Sequence, residues 1–414
     1  MQTCRAAIRP CVHARGQGPN FHAAKRHAPR RLSPMLRLLL CVALLGGPTT
    51  VLAHHKQTAP IVRLTSGGDA TLPRLADFSI TYALAVPVGS SHAIYRLPYN
   101  LAKTTLLSAS GDPANPEASL SGRSVVFDSD GDPLASGDPG RQVYLVHGTV
   151  LSQVTHDPTG TSVNPCVSGT GTTIAWESSG DLATTGSTTR QVFVRGKIGG
   201  ITQASTGNGV SGDAALTRTG STLVFDSTSD PTTGADTGTS QIWVKTVIGG
   251  PATRVTQGAG PSRRPTIASA GRIVAFESTA NLAGGGEDTG VSQIFVADLQ
   301  TNTFAQITND AGGCSGPSID FQVRDWRVTF VCGGEGFYYQ LIADKRYKLP
   351  IPGGTDTSAI LAEGGTYFLV VSTTANLLSS GTTSGHEVYQ LNLYKTSATA
   401  VPGLAVWFPS RGIK

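Results

Sequence analysis

The chain has 414 residues, of which 14% are charged, with 50 Gly, 24 Pro and a formal net charge of +5. The positive balance sits in residues 1–53, which carry eight Lys and Arg and no Asp or Glu. Taking those eight from the 32 Lys and Arg leaves 24 against 27 Asp and Glu, a net charge of −3 for the remainder. That balance excludes an electrostatic draw toward nucleic acid, and no window carries a capped, apolar helical stripe, which excludes an all-helical fold.

In chain order, residues 1–34 read as a basic leader or a mis-assigned gene start ahead of Met35. Residues 35–53 follow as a secretory signal peptide: a basic residue, the apolar run LLLCVALL and small residues at Val51 and Ala53, with cleavage before His54. The apolar run is too short to remain as a membrane span. Export implies an oxidising compartment for the three cysteines that survive cleavage, Cys166, Cys314 and Cys332. Cys314 and Cys332 fall in one repeat unit and are the expected disulfide; Cys166 reads as core.

From there a phrase recurs. It reads VVFDS at Val125–Ser129, IAWES at Ile174–Ser178, LVFDS at Leu223–Ser227 and VAFES at Val274–Ser278, and each copy is followed by RQVYLV, RQVFVR, SQIWVK or SQIFVA. The aromatics Phe127, Trp176, Phe225 and Phe276 are spaced 49, 49 and 51 residues apart. Weaker copies lie around Tyr82, Phe330 and Val370. Each unit holds four short runs rich in Val, Ile, Thr and Phe, bounded by Gly, Asn or Asp. That is the chemistry of strands, and four strands at this period make a propeller blade. The chain is therefore expected to be all-β, a propeller of four-stranded antiparallel blades. The count is seven, or six if the Tyr82 copy is not a blade. Ile61–Thr65 (IVRLT) matches a fourth strand with no blade of its own, and is expected to close the ring on the last blade.

These phrases, with Pro165, Ser168, Gly171, Pro265, Ser269 and Gly271, resemble the TolB-like, WD-repeat-like propellers of bacterial envelopes. The resemblance covers about residues 60–400 and leaves 401–414 as a tail. It implies a monomeric propeller in the bacterial periplasm or outside the cell, without a membrane span after cleavage and without a nucleic-acid partner.

Loop length places the functional surface. Turns between first and second and between third and fourth strands are tight, whereas the second-to-third connections and the links between blades are long. Strands alternate in direction, so the long segments share one face, where a rigid frame can present binding loops. Their acids Asp130, Asp132, Asp138, Asp230, Asp236 and Asp288, with Glu287 beside them and Arg263 and Arg264 at the channel mouth, are the candidate binding residues. Asp128, Asp130 and Asp132 in DSDGD could wrap calcium, although Asp and Gly in such runs also simply make turns; no other cofactor is implied. The acid-Ser pairs at Asp128, Glu177, Asp226 and Glu277 recur in register and read as hydrogen-bonding devices between strands or blades. There is no G-x-S-x-G elbow and no H-E-x-x-H or C-x-x-C motif. The expectation is an exported, non-catalytic scaffold that binds a protein, a ligand or an envelope polymer. The alternative is a propeller hydrolase or lyase acting on a polysaccharide or peptide through acids on the long-loop face.

Overall fold

The computed structural model describes residues 61–65, 74–76, 79–85, 92–98, 105–108, 110–319 apart from 198, 285 and 287, 326–351, 357–361, 368–379, 382–393 and 398–401. All lie in the second of two units, Lys56–Lys414. The leader, the signal peptide, Glu287 and residues 402–414 of the tail lie outside the described residues.

Every described element is a strand. The strands form seven antiparallel sheets, six of four strands and one of five. We number them as blades: 1 (residues 74–108), 2 (114–153), 3 (162–203), 4 (211–254), 5 (262–306), 6 (314–348) and 7 (357–392). Each blade's first strand touches the first strands of both neighbours, and the series closes from blade 7 to blade 1. The first strands therefore ring an axis. The Tyr82 copy is a true blade, with Ser79–Ala85 as its second strand.

Burial explains why the blades need each other. Second strands such as Ser124–Ser129 are buried along their whole length, the pattern of a sheet covered on both faces. Apolar clusters bridge neighbours: Val126, Val143 and Val154 of blade 2 pack with Ile174, Trp176 and Phe193 of blade 3. Likewise Val224 and Ile242 of blade 4 pack with Val274, Phe276 and Phe295 of blade 5. The recurrent aromatics sit opposite an aromatic of the third strand and stack on it, as in Phe127–Tyr144 at 5.7 Å, Trp176–Phe193 at 6.3 Å and Phe276–Phe295 at 6.0 Å between centroids. Turns on the opposite face from the long loops are tight enough to require glycine: Gly171 and Gly220 have φ of +73° and +72°, and each packs on the preceding blade.

A glutamine stands at the same register of the third strand in four blades, two residues before its aromatic. Gln142, Gln191, Gln241 and Gln293 each accept a hydrogen bond from a hydroxyl two residues past the fourth strand, on Thr155, Ser205, Thr256 and Thr308. Their amides donate to carbonyls of the link that follows, such as Asp157 and Asp310. The same hydroxyls accept the next backbone N–H, as at Val143 and Ile294. One polar side chain thus ties strand three, strand four and the exit to the next blade.

The ring closes through the chain's first strand. Ile61–Arg63 is the outermost strand of blade 7, antiparallel to Thr382–Asn392. Thr65 takes the role of Thr155: Val388 donates its N–H to the Thr65 hydroxyl at 2.9 Å.

Two features differ from the sequence reading. Thr399–Val401 is not the end of the propeller followed by a plain tail. It returns past blade 7 and pairs with Lys345–Lys348, giving blade 6 its fifth strand. The second-to-third connections of blades 4, 5 and 7 are also shorter than read, because the strands continue beyond a bulge as far as Ser229–Asp236, Ala280–Asp288 and Ala375–Thr382. Threonines support these extensions, Thr237 and Thr289 donating back to the carbonyls of Thr228 and Thr279.

Cys314 and Cys332 form a disulfide. They face each other at the register held by serine pairs elsewhere, Ser211 with Ser227 and Ser262 with Ser278. Replacing both cysteines with serine should give blade 6 the serine pair of its neighbours while releasing a cross-link over 18 residues. The variant is expected to fold and to lose about 3 kcal/mol in chemical denaturation; an unchanged midpoint would show that the bridge adds nothing to the serine pair.

Candidate functional site at the channel mouth

The first strands of blades 2 to 6 each carry a bulge near the long-loop face. At its centre is a left-handed residue: Asn115, Asn164, Asp213, Arg264 or Gly316, with φ between 49° and 66°. Four of the five are followed by proline (Pro116, Pro165, Pro265 and Pro317), which the bulge tolerates because it asks nothing of that N–H. The bulge pushes these residues out around the axis, and Asn115, Asn164, Asp213, Arg263 and Arg264 are all exposed there.

The acids of the recurrent phrase hold these bulges from one blade to the next. Asp128 accepts the N–H of Asn164 at 3.0 Å, Glu177 that of Asp213 at 3.0 Å and Glu277 that of Gly316 at 2.6 Å. Within its own blade each acid also meets the side chain of the bulge residue: Asn115 donates to Asp128, Asn164 to Glu177 and Arg264 to Glu277. Arg141 and Arg190 add ion pairs to Asp128 and Glu177 at 2.5 and 3.5 Å. Burial nevertheless raises the affinity of Asp128 and Glu177 for a proton, outweighing these donors.

Blade 4 departs from the pattern. Where blades 2 and 3 place asparagine against the acid, blade 4 places Asp213 against Asp226. Ser240 stands where Arg141 and Arg190 stand and donates to Asp226. Burial first, then the charges of Asp213 and Glu177, push the Asp226 carboxyl up to about 7, with Arg263 opposing. The mouth thus carries Arg141 and Arg190 on one side, a carboxylate pair in blade 4 and Arg263 and Arg264 beside it.

The loop acids are taken up by their own turns or by neighbouring segments. Asp132 accepts from Ser136 and Gly137, which hold its carboxyl below the usual range. Asp138 is lowered chiefly by His156, at 2.6 Å, and also accepts from Gln153. Asp230 accepts from Thr232, Asp236 from Gly238 and Asp288 from Gly290. Of the DSDGD acids, Asp128 is buried against Arg141, Asp130 takes the N–H of Asp112 and Asp132 closes its own loop. Among the described residues, no three His, Cys, Asp or Glu side chains gather as a metal site. Of the candidate binding residues, the structure brings only Arg263 and Arg264 to the mouth. Asp213 was missed, although aligning NPCV, DAAL and RPTI across the copies shows an acid at this position and, in that copy alone of the three, no proline after it.

No family profile and no curated protein sequence matches the chain. Solved structures do. TolB from Acinetobacter baumannii is 13% identical, with a TM-score of 0.42 over 76% of this chain and 63% of that one. The β-propeller domain of the Trilobed protease from Pyrococcus furiosus is 8% identical, with a TM-score of 0.54 over 80% and 98%. Oligogalacturonate lyase from Vibrio parahaemolyticus is 10% identical, with a TM-score of 0.50 over 80% and 93%. The last two likenesses establish the class, a β-propeller. The recurrent phrases resemble those of TolB-like propellers. The protease domain is described as having an open velcro topology; here the first strand closes the ring.

Two outcomes test the mouth. Glu177→Ala frees the Asp213 N–H and should cost roughly 1–3 kcal/mol, with faster hydrogen exchange at Asp213 than at other bulges. The carboxyl of Asp226 is raised in the fold, so the native state binds more protons than the unfolded chain between about pH 4 and pH 7, and its contribution to stability falls across that window. Asp226→Asn removes this loss. Its melting temperature should match the parent's near pH 4 and exceed it increasingly toward pH 8; parallel curves would contradict the assignment.

Proposed function

We propose that the protein is an exported, non-catalytic propeller that binds a protein or an envelope polymer at the channel mouth on its long-loop face. The observation that carries this reading is the set of exposed bulge residues, Asn115, Asn164, Asp213, Arg263 and Arg264, with Asn164 and Asp213 held through their N–H groups by buried acids of the preceding blade. Most acids a catalyst would need are already committed: those of the second strands bind neighbouring blades, and those of the loops close turns. What faces outward is a patterned, fixed set of amides and charges, suited to a partner carrying both signs of charge. No described helix is long and apolar enough to cross a membrane.

Blade 4 supports a second reading. Asp213 and Asp226 form a carboxylate pair outside the repeat pattern, and a carboxyl titrating near 7 suits proton transfer at neutral pH. With Arg263 beside it, this pair would serve a hydrolase or lyase on an acidic polysaccharide, and a structural neighbour is an oligogalacturonate lyase.

One comparison separates the two. Affinity capture from bacterial envelope extract with the parent protein and with an Arg263→Ala/Arg264→Ala variant should recover a partner that the variant loses. If capture is unchanged, while release of oligosaccharide from polygalacturonate is seen and vanishes in Asp226→Asn, the enzymatic reading replaces the scaffold.

A further inference from the structure

Ring closure rests on little backbone. The closing strand, Ile61–Arg63, has three residues, and Ile61 to Leu64 are only half-buried. It must find its partner across 322 residues, measured from Thr65 to Glu387. The other fourth strands have no such search, because a short turn tethers each to its third strand, as in His147–Val150.

The polar pattern changes at this seam. Glu387 stands at the register of Gln142, Gln191, Gln241 and Gln293, two residues before the third-strand aromatic. It keeps the contact the glutamines make, accepting the Thr65 hydroxyl at 2.6 Å. Its second oxygen meets Arg63 at 3.1 Å, and the two side chains are 3% and 31% exposed. Arg63 lies at the register of Gln153 and Gln306 and also reaches over the Tyr389 ring, at 5.9 Å. Blade 4 has an arginine here too, Arg254, but the residue at the Glu387 position is the neutral Gln241, and Arg254 donates instead to the Thr256 carbonyl. Blade 6 pairs Lys348 with Glu335, both about a third exposed and on tethered strands. Only at the closing seam, among the described blades, is the acid of such a pair buried and its cation supplied from the far end of the chain.

We infer that Arg63 and Glu387 form a charge lock that holds the N-terminal strap on blade 7. An uncovered carboxylate at this depth is costly unless its cation arrives. Docking of the strap therefore satisfies Glu387, and Glu387 favours the strap that carries arginine beside the required threonine. Without the pair, the short strand pairing, the Thr65 hydroxyl and the packing of Ile61 are left to offset the closure entropy.

Hydrogen exchange of residues 61–65 and Val388 in the purified protein tests this. Arg63→Gln should speed exchange there by about tenfold or more, with the amides of blades 2 to 5 unchanged. Arg63→Gln/Glu387→Gln should recover protection to within about threefold, because the amide introduced on blade 7 can then hold Thr65 as Gln142 holds Thr155. Arg63→Lys, which keeps the charge, should remain closer to the parent than Arg63→Gln. Parent-like exchange in Arg63→Gln, or a double variant no better protected than the single one, would overturn the lock. If Arg63→Gln does not fold, the other two variants decide: folding with a protected strap supports the lock, and failure of the double variant overturns it.

Discussion

Mutual covering of apolar sheet faces is the constraint on which this molecule depends. A blade of this chain has two oily faces and cannot bury either by itself. Val126 and Val143 need Trp176 of the next blade, and Val224 and Ile242 need Phe276. An open row of such sheets would leave two faces bare, so the arrangement is driven to close on itself. The hydrogen-bonding devices act within that frame. The glutamine of the third strand fixes a blade's outer half, and the acid at the end of the second strand fixes the inner edge of the next blade.

The same devices explain how a repetitive scaffold acquires an individual surface. A bulge held by a buried acid leaves its side chain free to vary, because the neighbouring blade binds only its N–H. Asn164, Asp213 and Gly316 all satisfy that bond with different side chains. Variation at the mouth is therefore cheap for the fold. Blade 4 goes one step further: by replacing the amide partner of its acid with Asp213, it gives up a stabilising contact and gains a raised carboxyl at the axis. Such a departure from local consistency is where function is expected to reside.

Much of this was legible in the sequence because the repeat is strong. The four phrases around Phe127, Trp176, Phe225 and Phe276 set the blade, and Thr65 in IVRLT identified the closing strand by its likeness to other fourth strands. The expectation that the acid-Ser pairs serve hydrogen bonds between strands or blades also matches what the acids do. The mouth was less legible. Asp130, Asp132 and Asp230 drew attention as acids in loops, yet Asp132 and Asp230 bond their own turns and Asp130 the N–H of Asp112, and composition cannot separate such roles from ligand binding. Asp213 hides in a plain stretch, and its meaning comes only from the bulge that brings its charge near Asp226. The fifth strand of blade 6 was not legible either, since TAV is too short to signal a partner.

Both ends of the described chain leave from the rim. Ile61–Arg63 forms the outer edge of blade 7, and Thr399–Val401 the outer edge of its neighbour, blade 6. The chain that enters at Ile61 and the chain that leaves at Val401 therefore meet the propeller on adjacent blades. A tether grafted at these two strands would grip the propeller by its flank rather than by its crown of bulge residues.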